Sequence, residues 1–389
     1  MGINLHVYPN SFRQETRILK ETTSLAQAGL FDHIHIAAVW ERGLDETQPL
    51  DSNRTVTRLK LWSVGWRGSA GRAARLMEWS CRVFIAFRRS RVAVVNCHAL
   101  TTLPLGVLFK YTTGAKLVYD THELETETHT SRGLRKRLAK VVERALIRYV
   151  DSVIVVSRSI ENWYRATYDL REVHLVRNMP CRPDEQPVGR GRLRERLGVA
   201  PDELIFIYQG IFGSGRGIEL LLGAWSQLPR SHHLVFMGNG PLQPLIEAAA
   251  GRAQNVHLHP AVPLADILDY TSAADVGIAL FENTCLNYYF ALPNKFYEYL
   301  FSGVPVIASD FPDMAGVIDE FQCGWKTAVN QEALVRLVCA IDRVQIAERR
   351  RGADRCRGSS GWQIEEKSML QAYAKIVPTG PGGAYFLRL

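Results

Sequence analysis

Short apolar runs alternate along this chain with longer stretches in which apolar positions recur every three or four residues. In the first half, residues 3–7, 33–39, 92–96, 116–119 and 153–156 predict buried strands. In the second half the same pattern falls at 204–208, 234–237, 256–258, 276–280 and 304–308. Between the runs, 13–28 predicts a helix ended by Gly29, 218–225 a helix opening after a glycine loop, and 362 to about 376 an amphipathic helix. Alternation of strand and helix predicts an α/β fold with parallel sheets covered on both faces. Residues 182–192, rich in Pro, Gly and charge, predict a linker. A chain of 389 residues exceeds one ordinary core and suits two α/β domains, expected at 1–183 and 184–360, with a tail at 361–389.

Hydrophobic residues make up 47% of the chain, a globular value. No apolar run approaches the ~20 residues of a membrane span. The opening Met-Gly-Ile-Asn-Leu-His-Val leads directly into a strand without signal-peptide anatomy. Seven cysteines (Cys81, Cys97, Cys181, Cys285, Cys323, Cys339, Cys356) are scattered, with no C-x-x-C pair. That pattern predicts reduced thiols in a cytoplasmic protein and no structural zinc. The net charge of +8 is lopsided: 28 Lys and Arg face 19 Asp and Glu up to Pro187, leaving 19 against 20 beyond it. The basic half is therefore expected to meet something anionic.

The densest chemistry lies in Ala291-Leu-Pro-Asn-Lys-Phe-Tyr-Glu-Tyr-Leu-Phe-Ser-Gly-Val-Pro-Val. Pro293 suits a helix start, Gly303 its end, and Asn294 and Lys295 fall in the first turn. A helix start with a fixed cation is a seat for phosphate. Glu298, one turn on, is placed with Tyr299 within reach of Lys295, and its carboxylate suits sugar hydroxyls. A second anion seat is expected in Gln209-Gly-Ile-Phe-Gly-Ser-Gly-Arg-Gly217, where Gly213 and Gly215 allow close backbone approach and Arg216 adds a guanidinium. Phe236-Met-Gly-Asn-Gly240 offers another glycine pair, Gly238 among them, which serves a ligand or simply a tight turn.

These stretches resemble retaining glycosyltransferases of family 4, which have the GT-B fold: two Rossmann-like domains facing across a cleft. Many members carry two glutamates bracketing seven residues before a Gly-x-Pro-Val strand. Glu298 matches the second, which binds the ribose, and Phe290 stands where the first would be. The chain is similar to a branch with Leu-Pro-Asn-Lys at this place. Members usually carry a cation ahead of the glycine loop as well. Ile211 occupies that position, Arg216 matches the loop's second cation, and Lys295 is placed to supply the lost charge. The resemblance implies an N-terminal acceptor domain, a C-terminal nucleotide-sugar domain, and a final helix crossing back to the first domain.

Tyr119-Asp-Thr-His-Glu-Leu124 ends a strand, and ligands of open α/β sheets gather at the carboxyl ends of strands. The resemblance places His122 by the transferred sugar. Glu123 and His98, at the ends of neighbouring strands, are expected on the acceptor side. Asn10 and Ser11 in the first strand–helix loop cap the helix and serve as second-role acceptor contacts. Two helices carry cations at helical spacing: Arg75, Arg82 and Arg89 in 71–91, and Lys136, Lys140, Arg144 and Arg148 in 131–149. Leu76, Trp79, Val83, Phe84 and Phe87 make the other face of the first, and Leu134, Leu138, Val141, Ala145 and Tyr149 point away from the cations in the second. With Trp62 and Trp66 upstream, the cations predict docking on an anionic membrane surface, at the inner leaflet. Nucleic acid is not expected, since no stacking platform accompanies the charge.

No Asp-x-Asp pair is present to hold a metal on a diphosphate, and no Gly-x-Ser-x-Gly or Walker loop occurs. The expectation is a retaining, metal-independent glycosyltransferase without a cofactor. It would take a nucleotide-sugar, a UDP-sugar ahead of a GDP-sugar, and act on a saccharide or lipid-linked saccharide in surface polysaccharide or glycolipid synthesis. The catalytic residues would be His122, Arg216 and Lys295. A nucleotide-sugar epimerase of the same architecture and a non-catalytic nucleotide-binding member remain as alternatives.

Overall fold

Two parallel sheets organise the chain, whose computed structural model describes residues 2–13, 15–183 and 192–377. The first sheet contains β1 (Ile3–Val7), β2 (His33–Val39), β3 (Thr47–Pro49), β4 (Arg54–Leu59), β5 (Val92–Cys97), β6 (Lys116–Thr121), β7 (Ser152–Val155) and β8 (Val173–Leu175). Their order is β3-β4-β2-β1-β5-β6-β7-β8, and all pairs are parallel except β3 with β4. The second contains β9 (Leu204–Ile211), β10 (His232–Asn239), β11 (Val256–Pro260), β12 (Val276–Ala279), β13 (Val306–Ser309) and β14 (Gly324–Thr327). Its order is β11-β10-β9-β12-β13-β14, parallel throughout. The apolar strands of the second sheet feed separate buried clusters, one including Ile205, Val235 and Phe296, the other Phe206, Trp225 and Ile307. Burial on both faces is why these runs read as continuously apolar.

The chain forms two compact units, one comprising Met1–Arg177 with the chain from Ile364, the other Asn178–Gln363. The helix Trp362–Ile376 buries Met369, Ala372 and Tyr373. From it Glu366 accepts a hydrogen bond from Ser24 Oγ at 2.7 Å, and Ser368 Oγ donates to Leu175 O at 2.9 Å. The linker expected over 182–192 lies, from 184 to 191, outside the described residues.

Strands β4, β8 and β14 carry no run that the sequence pattern selects. β4 is Arg-Thr-Val-Thr-Arg-Leu, with only Val56 and Arg58 buried, and β8 spans three residues. The first helix is Thr16–Gln27 with Glu15 at its N-cap, three residues later than expected. Asn10 and Ser11 therefore do not cap it. Asn10 Oδ1 accepts from Phe12 N at 3.0 Å and its amide donates to Glu15, while the Ser11 carbonyl accepts from Arg58 Nε at 2.9 Å. The turn itself, with Phe12 at φ 53°, uses these groups.

Candidate functional site

In each sheet the strand order reverses once, between β1 and β5 and between β9 and β12, and ligands of open α/β sheets sit outside the carboxyl ends of strands at such points. The chemistry collects there in both units.

In the second unit, β9 runs into the loop carrying Gly213, Gly215 and Arg216. Gly215 holds φ +75°, its carbonyl accepts from Glu282 N at 2.9 Å, and a Cβ there would lie 2.7 Å from Tyr288 Cε2. The Arg216 guanidinium lies 5.6 Å from the Phe281 ring centroid and 5.9 Å from that of Tyr288. Helix Asn294–Phe301 starts beside this loop's aromatic wall, with Pro293 at the N-cap and Asn294 as its first residue. Lys295 is 7% exposed; its Nζ sits 3.6 Å above the Tyr208 ring and 5.9 Å from the Phe281 centroid. No hydrogen-bond partner reaches that Nζ among the described residues. Burial, and then the charge of Arg216, hold the Lys295 ammonium well below its usual pKa, against an opposing pull from Glu298. Arg216 and the Lys295 amine thus flank one phenylalanine ring, and that amine lacks the oxygen atoms that a buried ammonium requires.

Glu298 is buried and accepts from Gln209 Nε2 at 2.5 Å, while Gln209 Oε1 accepts from Thr271 Oγ1 at 2.7 Å. Gln209, inside β9, carries no sequence signal of its own beyond preceding the glycine loop. Tyr299, expected beside Lys295 and Glu298, belongs to the core instead. Its hydroxyl donates to Ile278 O at 3.1 Å and accepts from Gln209 N at 2.9 Å. Gly238 has a structural reason to be glycine that involves no ligand: at φ +150° a Cβ would lie 2.0 Å from Gly210 O on the neighbouring strand.

In the first unit the carboxyl ends of β1, β5 and β6 carry His6, His98 and His122. His122 Nε2 lies 3.1 Å from Asp120 Oδ2 and 3.1 Å from His98 Nδ1, and its side chain is 19% exposed. His98, expected to face an acceptor, is 1% exposed with both ring nitrogens engaged, Nε2 by His6 Nδ1 at 2.8 Å. It backs His122 and offers an acceptor no free atom. Glu123 is exposed, next to this cluster in sequence. Arg17, which sequence reasoning missed, is buried and binds both Asp120 oxygens, at 2.7 and 3.1 Å, and Glu21 at 2.9 Å. Burial pushes the Asp120 carboxyl up, but Arg17 and His122 outweigh it and hold it well below its usual range. Glu21 is raised well above its own, by burial and then by Asp120. Arg17 already stands where a cation would neutralise Asp120, so the cluster is not read as a metal centre.

The basic helices are Gly68–Phe87 and Gly133–Leu146, the latter continued by a short turn Ile147–Tyr149. The first buries Trp79, Val83 and Phe87, on the face opposite its cations. The second leaves its apolar stripe outside: Leu134, Leu138 and Val141 are 82, 62 and 64% exposed, whereas Glu143 is fully buried. Three tyrosine hydroxyls hold the Glu143 carboxylate, those of Tyr119 at 3.1 Å and of Tyr164 and Tyr168 at 2.7 Å, and this anchorage outweighs the apolar stripe. Several expected free cations are engaged. Lys136 and Lys140 pair with Glu127, Arg82 with Glu78, and Arg75 donates to Trp66 O. Arg144 and Arg148 lie over the Tyr168 and Tyr149 rings, and Arg89 is exposed. Trp62 and Trp66 are 88 and 62% exposed. Among the described residues no helix is long and apolar enough to cross a membrane.

Residues 15–179 match the family described as "Glycosyl transferase 4-like domain", and residues 203–343 match "Glycosyl transferases group 1". A search of curated proteins by sequence found no match. Solved structures share the fold. A sucrose-phosphate synthase from Thermosynechococcus elongatus superposes with a TM-score of 0.80 at 18% identity, over 97% of this chain and 99% of that one. Anabaena Alr3699/HepE in complex with UDP-glucose gives 0.72 at 13% identity, over 96% and 100%. WaaG, a glycosyltransferase involved in lipopolysaccharide biosynthesis, gives 0.66 at 15% identity, over 97% and 100%.

Proposed function

The chain is a glycosyltransferase of the GT-B fold, and we propose that it transfers a sugar, with retention and without a metal ion, from a nucleotide-sugar to a saccharide acceptor. One observation carries the donor assignment: the buried Lys295 Nζ without a hydrogen-bond partner, beside Arg216 at a helix start. A diphosphate supplies the oxygens this ammonium lacks. The same two cations stabilise the charge that builds on the leaving group, an electrostatic contribution that is usually the largest in such reactions. Glu298, held by Gln209, accepts from ribose hydroxyls. Gly213, Gly215 and Asn294 bring backbone N–H groups to the phosphates. His122 is assigned to the transferred sugar, and Glu123 to the acceptor side. No side chain is assigned as nucleophile; the leaving phosphate takes the acceptor's proton. A UDP-sugar is the preferred donor, supported by the likeness to a protein solved with UDP-glucose.

The acceptor is read as a lipid-linked saccharide of a surface polysaccharide or glycolipid, with the enzyme peripheral on the inner leaflet. The cations of the two basic helices support this, together with the exposed Leu134, Leu138, Val141, Trp62 and Trp66 beside them. Amphipathic surfaces of this kind bind the membrane interface.

A thermal-shift series with UDP-, GDP- and other sugar nucleotides tests the donor. A ligand at 100 times its Kd should stabilise the protein by about 2.7 kcal/mol, and should do so in EDTA. Absence of any shift across the series would refute the donor site. Conversion of a UDP-sugar incubated alone into its epimer would replace transfer with epimerisation.

A further inference from the structure

Two hollows on the first unit share a wall. One, of about 500 Å³, is lined by Pro9, Leu61 and Trp79 and by three arginines, Arg72 and Arg75 of helix Gly68–Phe87 and Arg135 of helix Gly133–Leu146. The other, of about 550 Å³, runs between helix Gly68–Phe87 and helix Leu103–Thr113. Its lining is almost wholly carbon, with Met77, Phe84 and Ile85 from one helix and Pro104, Leu105 and Leu108 from the other. Ala73, Leu76 and Thr101 line both hollows, so the two form one continuous groove. Volumes of this size are those of small-molecule sites.

The groove changes character along its length. At the apolar end Met77, Ile85 and Leu108 are exposed, a hydrocarbon face of the kind that marks a binding surface. At the basic end no hydrogen bond or ion pair engages Arg72 or Arg135 among the described residues, whereas Arg82, Lys136 and Lys140 on the same two helices are paired. Arg75 commits one amino group, to Trp66 O at 2.6 Å and Val64 O at 3.4 Å, and keeps its other N–H donors. The basic end adjoins the histidine cluster. Pro9 follows Tyr8, whose ring centroid is 5.7 Å from that of His122, and Thr101 comes three residues after His98.

We propose that this groove seats the lipid of the acceptor, a single isoprenoid chain, with Arg72, Arg75 and Arg135 on the diphosphate that joins it to the saccharide. The proposal rests on the reading of the acceptor as a lipid-linked saccharide. One passage between two helices takes one chain, which disfavours a diacyl lipid. Three guanidinium groups match two phosphates better than one. The order along the groove, hydrocarbon then cations then His122, points the saccharide toward the site assigned to transfer.

Cys81 lines the apolar half and is exposed, which makes it a reporter. The probe is geranylgeranyl diphosphate, an isoprenoid diphosphate without a saccharide, added to the full chain. Alkylation of Cys81, read by peptide mass spectrometry, should slow about tenfold at roughly ten times the probe's Kd, as the open fraction falls by mass action. Exposed Cys339, in the other unit, should react as before. Arg72→Ala and Arg135→Ala should each raise the Kd roughly tenfold, the loss of one charge-assisted hydrogen bond. Geranylgeraniol, the same chain without phosphate, should bind wild type and both variants alike, and inorganic pyrophosphate should leave Cys81 open. Met77→Glu with Ile85→Glu should abolish binding of the diphosphate; if that variant does not fold, protection of Cys81 in the wild type decides. Absence of protection overturns the proposal, as does equal protection by soluble dihexanoylphosphatidylglycerol or a Kd indifferent to both arginines. A wild-type dimer dissolved by Met77→Glu with Ile85→Glu overturns it too, since the groove would then be a contact between copies. Failure of the isoprenoid probe alongside binding to anionic vesicles removes the groove alone. Indifference to vesicles and to every lipid probe removes the lipid-linked acceptor on which the proposal rests.

Discussion

Replacing Lys295 by methionine separates binding from folding, because the two effects have opposite signs. Lys295 Nζ is buried and lacks a hydrogen-bond partner. A buried polar group left unsatisfied costs on the order of 1–3 kcal/mol, and methionine of similar length removes that group. The amine's contact with the Tyr208 ring offsets part of the gain, by up to about 2 kcal/mol if it is charged. Burial and Arg216 disfavour that charged form. The variant should therefore melt higher, by about 2–4 °C for each kcal/mol in a unit of this size. The sign of the pH dependence follows from linkage. A lysine depressed in the folded state is protonated more readily when unfolded, so wild-type stability rises with pH between the folded value and the ordinary ~10.4. The advantage of Lys295→Met should shrink across that window. Binding moves the other way. Loss of a charged hydrogen bond to a diphosphate should cost about 1.5–3 kcal/mol, or roughly 10- to 150-fold in Kd. Wild type should also take up a proton on binding, since a diphosphate favours the ammonium, and the variant should not. Scanning calorimetry measures the first effect, and titration calorimetry in buffers of different ionisation enthalpy the second. A variant that melts lower and binds nucleotide-sugar as tightly as wild type would make Lys295 a structural residue and end the argument.

Glu298→Gln should keep the fold and weaken nucleotide-sugar binding by on the order of 1.5–3 kcal/mol; wild-type kinetics would remove Glu298 from the site. Arg216→Ala and Lys295→Ala should lower turnover non-additively if both cations meet one leaving group, so strictly additive losses in a double-mutant cycle would place them on different charges. The exposed apolar stripe and its cations should sediment the protein with anionic vesicles at low salt and release it as salt rises, because exposed charges are screened beyond about 10 Å at 0.1 M. Leu134→Glu with Leu138→Glu should abolish sedimentation, and indifference of the wild type to anionic vesicles would refute membrane docking.

Much of the second unit was legible. Its five predicted strands coincide with β9 to β13 to within a few residues, and helix Ile218–Trp225 falls where the glycine loop predicts it. Apolar parallel strands announce themselves because both faces are buried. Short edge strands such as β14 have no such run. The triplets Asn4-x-His6, Asn96-x-His98 and Asp120-x-His122 were a readable signal, and a search for like spacing at successive strand ends would have found the histidine layer.

By itself the sequence determined the α/β class, the glycine loop, and the placing of Lys295 and Glu298 on one short helix, because these depend on local periodicity and on turn chemistry. Only the tertiary structure decided which face of each helix is inside. Glu143 is buried beneath three tyrosines that are distant in sequence, and that anchorage turns Leu134, Leu138 and Val141 outward. Likewise, Arg17 reaches Asp120 across 103 residues, and Asp120 in turn meets His98 and His122. Hydrogen bonds and ion pairs between strands and helices far apart in the chain obey no local period, so composition and spacing carry no trace of them until the sheet brings their ends together.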